Sequence, residues 1–194
     1  MRAAYTIAAL PLNLGVALAV GGLALLGRSE VGVFNPPKAA PFLTLDLKIG
    51  IPANVSTPDG PTGLAPNREG GKVKGAFEAD ILPLGAAYER VVENEVGENS
   101  FYQNIYIFQT AQNETLSLNV DGILHYDNNA LHGFGFAKIA TSIPQFLKYN
   151  YQAFVIEVEG DFNTGTAVAE VFELKPCGRR DGKPIKALLP PGGA

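Results

Sequence analysis

In FLTLDLKIG (residues 42–50), Leu43, Leu45, Leu47 and Ile49 alternate with Thr44, Asp46 and Lys48. A period of two puts the leucines on one face of an extended chain and predicts a half-buried antiparallel strand. GKVKGAFEADI (residues 71–81) alternates in the same way, with Val73, Phe77, Ala79 and Ile81 facing one side and Lys72, Lys74, Glu78 and Asp80 the other. FYQNIYIFQT (101–110) and TLSLNV (115–120) are strand-like runs separated by AQNE, which predicts a hairpin with Asn113 at its tip. YQAFVIEVEG (151–160) and TAVAEVFEL (166–174) form a second pair around the turn DFNTG. Only KIATSIPQFLKYN (138–150) has helical character, and Pro144 limits it to a turn or two. Residues 51–71 carry four prolines among several glycines, which predicts a long loop rather than regular structure. The sum is all-β: a single antiparallel barrel of about seven to nine short strands.

Composition adds the boundaries. From Ala3 to Gly27 no residue is charged, and about 25 uncharged residues at 1.5 Å each are long enough to cross a bilayer. Ala17-Leu18-Ala19 also supplies a small-x-small cleavage pattern. Residues 1–27 are therefore expected to be a cleaved signal peptide or a retained signal anchor, unless the true start lies further on. Retention would bring membrane association through this segment. Residues 28–41, with three prolines, read as a linker, residues 42–175 as the barrel domain, and residues 176–194 as a disordered tail. Passage through the secretory pathway, to a secreted or membrane-anchored destination, is the expectation. Asn54-Val55-Ser56 and Asn113-Glu114-Thr115 have the glycosylation pattern that such a route would use. The net charge of −4, with no basic cluster in the body of the chain, argues against nucleic acid as a partner. The lone Cys177 can form no internal disulfide, and no Cys/His spacing suggests a metal.

The two histidines of the chain fall in one hairpin. Folding residues 116–136 about Asp127-Asn128-Asn129-Ala130 sets Tyr126 opposite Leu131, His125 opposite His132, Ile123 opposite Phe134 and Asp121 opposite Phe136, whether the loop has two residues or four. Directly opposed Cβ atoms lie about 4.5–5.5 Å apart, close enough for two imidazoles to share a proton or a water. Asn119 joins this face, and Leu116, Leu118, Val120 and Leu124 occupy the other. Two alternatives follow. Either the polar and aromatic face lines a pocket, with His125, His132 and Asp121 as catalytic groups and Asn119, Phe134, Phe136 and Tyr88 as substrate contacts, or it faces water and the aliphatic side forms the core.

Other motifs are weaker. HGFGF lacks the third glycine and the strand-helix setting of a dinucleotide site, and no G-x-S-x-G elbow occurs. No cofactor is expected. Glu89 and Arg90, beside Tyr88, stand either at a barrel mouth or at a solvated strand end.

The order of segments from Leu43 to Leu174 resembles the DUF3237 group, small all-β barrel proteins that are mostly uncharacterised. The marks are the opening strand, the glycine pair of REGGKVKGAFEADILPLGAAY, the hairpin QTAQNETLSLNVDGI and the closing pair FVIEVEGDFNTGTAVAEVFEL. Where the group tends to carry an acid and a tryptophan this chain has Ala87 and Tyr88, and where it tends to carry an arginine in the middle strand it has Asn104. The resemblance implies the barrel and assigns no reaction. Two function classes remain: a cofactor-independent isomerase, cyclase or dehydratase acting on an apolar, oxygenated metabolite, or a non-catalytic barrel that carries a lipophilic ligand or partner.

Overall fold

The computed structural model describes residues 32–94 and 97–185, and the chain from Phe34 onward is one unit. The expected leader lies outside the described residues, as does the tail from residue 186. Among the described residues no helix is long and apolar enough to cross a membrane.

Among the described residues eleven strands make one antiparallel sheet. In chain order they are β1 (Lys38–Lys48), β2 (Ala53–Thr57), β3 (Gly60–Pro66), β4 (Gly71–Gly75), β5 (Ala79–Ile81), β6 (Ala86–Asn94), β7 (Gly97–Gln109), β8 (Thr115–Asp127), β9 (Ala130–Ala140), β10 (Ala153–Asp161) and β11 (Thr166–Lys175). Eight of them close a ring, β7-β5-β4-β1-β11-β10-β9-β8 and back to β7. This is the expected barrel. The remaining three extend from it as β6-β3-β2, because one edge of β7 is shared: its first part pairs with β6 and its end, at Phe108 and Gln109, with β5.

Alternation carries through to burial. Leu43, Leu45 and Leu47 point inward with Val73, Ile81, Phe108, Leu118, Ile139, Ile156, Ala169 and Val171. A 3₁₀ segment, Pro144–Tyr151, with proline in its first turn, follows β9. Its Phe146 and Tyr149 join Phe42, Phe77 and Phe154 in an aromatic plug, with Phe42 4.9 Å from Tyr149 and 4.7 Å from Phe154 between ring centres. One end of the barrel is thereby filled.

Three boundaries differ from expectation. Residues 51–71 hold a hairpin, β2–β3, whose turn sits at Pro58-Asp59 between paired Thr57 and Gly60. Pro61 and Pro66 are tolerated because they sit at the ends of β3, where few ladder bonds are required. The run 71–81 is a tight pair, β4 and β5, because Gly75 adopts φ +130° and turns the chain back. The domain also reaches into both flanks: β1 begins at Lys38, the Asn35 amide and side chain donate to the carbonyls of Gly178 and Cys177, and Arg180 donates to Phe34 O. The first part of the segment expected to be a tail is thus attached to the segment expected to be a linker.

Candidate functional site

The hairpin of β8 and β9 has the register expected from its turn. Asn128 and Asn129 form a two-residue loop with φ of 50° and 59°, and His125 pairs with His132, Ile123 with Phe134 and Asp121 with Phe136. The face they share is the outside of the barrel. Leu118, Val120 and Leu124 have the opposite parity and are buried, so a period of two sends both imidazoles to solvent. His132 Nε2 lies 2.9 Å from Glu157 Oε1 on the exposed surface, and Gln103 donates to Asp121 at 3.3 Å. Asn119 donates to Ser117 Oγ at 3.3 Å, while Phe134, Phe136 and Tyr88 are exposed. The structure brings His125, His132 and Asp121 onto one face but not around an enclosed space. Among the described residues no cluster of three or more His, Cys, Asp or Glu is disposed to hold a metal.

The enclosed space is inside, at the end opposite the aromatic plug. A cavity of about 220 Å³ is bounded by Leu47 and Ile49 of and after β1, Ala65 of β3, Ala87, Glu89 and Val91 of β6, Leu124 of β8, and Val158 of β10. That is just below the range of about 300–1,000 Å³ usual for drug-sized ligands, so the space suits a small one. Part of the polar lining, Tyr102, Asn104 and Tyr106, comes from β7, whose inward positions are Ser100, Tyr102, Asn104, Tyr106 and Phe108.

Two hydrogen-bonded groups of polar side chains face this space, which the exposed Lys48, Asn54 and Glu98 also line. Towards the more exposed side, Tyr126 donates its phenolic hydrogen to the Glu89 carboxyl, and Ser100 Oγ lies 3.2 Å from the same phenol oxygen. The Tyr126 ring stacks on Phe162 at 6.0 Å. Burial lifts the Glu89 carboxyl above the ordinary glutamate value, and the Tyr126 hydrogen bond pulls it part of the way back. Tyr126 is itself raised, by burial and then by its bond to Glu89. Deeper in, Tyr102 and Tyr106 are only 7% and 5% exposed, with their hydroxyl oxygens 2.7 Å apart. Asn104 Nδ2 donates to Tyr102 at 2.9 Å and to Asn67 Oδ1 at 3.2 Å, and Asn67 Nδ2 donates to the carbonyls of Ile105 and Leu84 at 2.9 and 3.1 Å. Burial raises both phenols further from ionisation, Tyr102 the more strongly, so they act as neutral hydroxyls at any ordinary pH.

A carboxyl with raised affinity for protons, beside a phenol and within apolar walls, is suited to taking and returning a proton. The sequence leaves Glu89 and Arg90 at either a barrel mouth or a solvated strand end, and the β6 pairing separates them: Ala87 sits opposite Asn104 and Glu89 opposite Tyr102, so both point inward while Tyr88 and Arg90 point out. Arg90 lies over the exposed Phe101 ring at 4.9 Å. The sequence marks Asn104 only as a departure from the group's arginine, and it does not single out Tyr102, Tyr106, Ser100 or Asn67. The parity of residues 100–108 was the available signal, but the other parity, Phe101, Gln103 and Ile105, is equally apolar.

No curated protein matches this chain. Solved structures do. A protein of unknown function from Clostridium acetobutylicum ATCC 824 superposes with a TM-score of 0.62 at 15% identity, over 71% of this chain and 99% of that one. A beta-barrel like protein from Acinetobacter baumannii AYE gives 0.61 at 16%, over 73% and 98%. An enzyme from Penicillium herquei gives 0.54 at 12%, over 75% and 99%. At these identities the likeness is one of fold. The family model described as "Protein of unknown function (DUF3237)" matches residues 37–165, most of the closed ring and all of β6 and β7. By that match the chain belongs to the DUF3237 family.

Proposed function

We propose that the protein is a cofactor-independent acid–base enzyme acting on a small, apolar, oxygenated metabolite, of the isomerase, cyclase or dehydratase type, with Glu89 as the group that moves the proton. The observation that carries this is the pairing of Glu89 with Tyr126 inside a cavity of about 220 Å³. In the carboxylate form Glu89 takes a proton from a carbon next to an oxygen-bearing carbon. The released electron pair spreads into the adjacent C–C–O unit. Return of the proton to a different atom completes an isomerisation, attack of the electron-rich carbon on an internal electrophilic carbon completes a cyclisation, and expulsion of a neighbouring hydroxyl, which takes the proton from Glu89 and leaves as water, completes a dehydration. Apolar walls such as Leu124, Leu131 and Val158 suit a substrate without charge and keep bulk water away from the intermediate. The enzyme label of the Penicillium herquei neighbour accords with catalysis in such a barrel and says nothing of the reaction.

Solvent deuterium exchange tests the proposal without knowledge of the natural substrate. The full chain in D₂O should catalyse exchange of the α-hydrogens of 2-tetralone, followed by NMR, and Glu89→Gln should abolish the catalysed part. Binding of the ketone with no exchange above the buffer rate would make the barrel a carrier instead.

A secretory route is proposed on the same terms as before: Asn54 on β2 and Asn113 at the β7–β8 turn are both exposed, as a glycan acceptor must be.

A further inference from the structure

The hydroxyl protons of the deep tyrosine pair can be counted, because one end of their network is fixed by the main chain. Asn67 must turn its Nδ2 towards the carbonyls of Leu84 and Ile105, which can only accept. Its Oδ1 is therefore the atom that meets Asn104, and Asn104 must present Nδ2 to it at 3.2 Å, with the reciprocal Nδ2 to Oδ1 contact at 3.4 Å. The same Asn104 Nδ2 points its second hydrogen at Tyr102, 2.9 Å away, so the Tyr102 oxygen accepts. Tyr102 and Tyr106 then hold two hydroxyl protons between them and share one hydrogen bond of 2.7 Å. Whichever phenol donates in that bond, one proton is left over.

That proton belongs to a group more than nine-tenths buried, and both tyrosines line the cavity. Beside them the barrel wall is bare: Gly122 pairs with Tyr102 across the β7–β8 ladder and with Gly135 across β8–β9, and a void of about 10 Å³ borders both tyrosines and both glycines. Neither glycine offers a side chain to accept the proton. A buried donor without an acceptor is destabilising, a deficit that a ligand oxygen removes.

We propose that the Tyr102–Tyr106 pair is an oxygen-recognition subsite, which donates one hydrogen bond to a carbonyl, ether or phenol oxygen of the ligand. This rests on the cavity being the substrate site and names what the substrate must bring to its deep end. The substrate class is then a neutral molecule with an acceptor oxygen at one end of an apolar body, and an acidic C–H or O–H facing Glu89.

The count makes an unusual prediction about single and double variants. Removing one hydroxyl also removes the bond between the two, so Tyr102→Phe and Tyr106→Phe each still leave one spare proton. Only the double variant leaves none. The test uses 2-tetralone labelled with ¹³C at its carbonyl and infrared difference spectra of the bound probe. In the wild-type chain and in both single variants the carbonyl stretch should fall below its position in an alkane solvent, and in Y102F/Y106F it should return towards that position. An unshifted stretch in the wild type, or a persistent shift in the double variant, overturns the proposal. A measurement on the wild-type chain alone gives a second check. 2-Tetralone should bind about three- to tenfold more tightly than tetralin, which lacks the oxygen, and equal affinities overturn the proposal. Glu89→Gln should abolish deuterium exchange and keep the carbonyl shift, so failure of the acid–base function and failure of the oxygen subsite give different results.

Discussion

Tyr126 and Glu89, on strands that share no ladder, meet through a hydrogen bond from the phenol to the carboxyl. β7 lies between them, pairing with β6 on one edge and β8 on the other, so the contact spans the concave inner face of three strands. The arrangement keeps the acid where water is scarce.

The first consequence is a pH profile. Burial raises Glu89 above its ordinary value of 4.5, and the base form is the active one. Catalysed exchange should therefore be low in acid and rise with pH through a midpoint above 4.5, and Glu89→Gln should cost at least about a hundredfold at neutral pH. A flat profile between pH 4 and 8 would remove Glu89 from the mechanism.

Stability should show the same group with its sign worked through. A carboxyl whose folded-state pKa is raised contributes stability that is fully present below the unfolded value and lost as pH rises through the folded value. Glu89→Gln keeps an acceptor for Tyr126 and carries no charge. Its melting temperature should equal or exceed that of the wild type at pH 7, with the gap narrowing towards pH 4. A variant markedly less stable at pH 7 would mean that the charged form is the one the fold prefers.

The histidine pair gives a contrasting expectation. His125 and His132 are exposed on the outer wall, and the His132–Glu157 contact lies in solvent, where such pairs are weak. Alanine at either position should change stability by no more than about 0.5 kcal/mol and leave exchange intact. Loss of exchange with the fold retained would return catalysis to that face.

Asn67 should be costly to replace. It is buried, and its amide satisfies the carbonyls of Leu84 and Ile105 while orienting Asn104. Asn67→Leu leaves these groups unpaired and should destabilise by about 1–3 kcal/mol in urea unfolding. An effect below about 0.5 kcal/mol would show that water replaces the amide.

Gly85 and Gly97 separate crowding from backbone strain. Both have positive φ, +83° and +116°, but a Cβ on Gly85 would lie 2.1 Å from the Ile105 carbonyl oxygen, whereas one on Gly97 meets nothing within 4 Å. Alanine at 85 should therefore cost more than alanine at 97, where strain alone is worth about 1 kcal/mol. Equal losses would mean that the Ile105 carbonyl yields freely.

The barrel was legible because burial in it follows a simple parity. Leu43, Leu45 and Leu47 alternate with polar residues, and the turn at Asp127 to Ala130 sets the same register for a loop of two residues or four, so strand and register could both be read from the sequence. The inside of the wall was harder to name. In β8 one parity is aliphatic and the other polar, and either arrangement makes a barrel until the location of the hollow is known. In β7 both parities are apolar or aromatic, which hid Tyr102 and Tyr106. Glu89 was ambiguous for a different reason: a glutamate beside an arginine looks like solvated surface, and only the pairing of β6 with β7 shows that the two residues face opposite ways. The β2–β3 hairpin was concealed by its prolines, although Asp59-Gly60 marked the turn.

The ring is closed by its first and last strands, with Leu45 beside Ala169 and Leu43 beside Val171. On the ribosome this order has a definite cost. Every other strand of the ring is made before β11, yet until Thr166–Lys175 emerges the sheet stays open along β1 on one side and β10 on the other. Each bare edge presents unpaired amides and carbonyls to any neighbouring chain. A polypeptide released before β11 is complete keeps both edges bare, and one released after it can seal both in a single step, so these ten residues decide between an open sheet and a closed barrel.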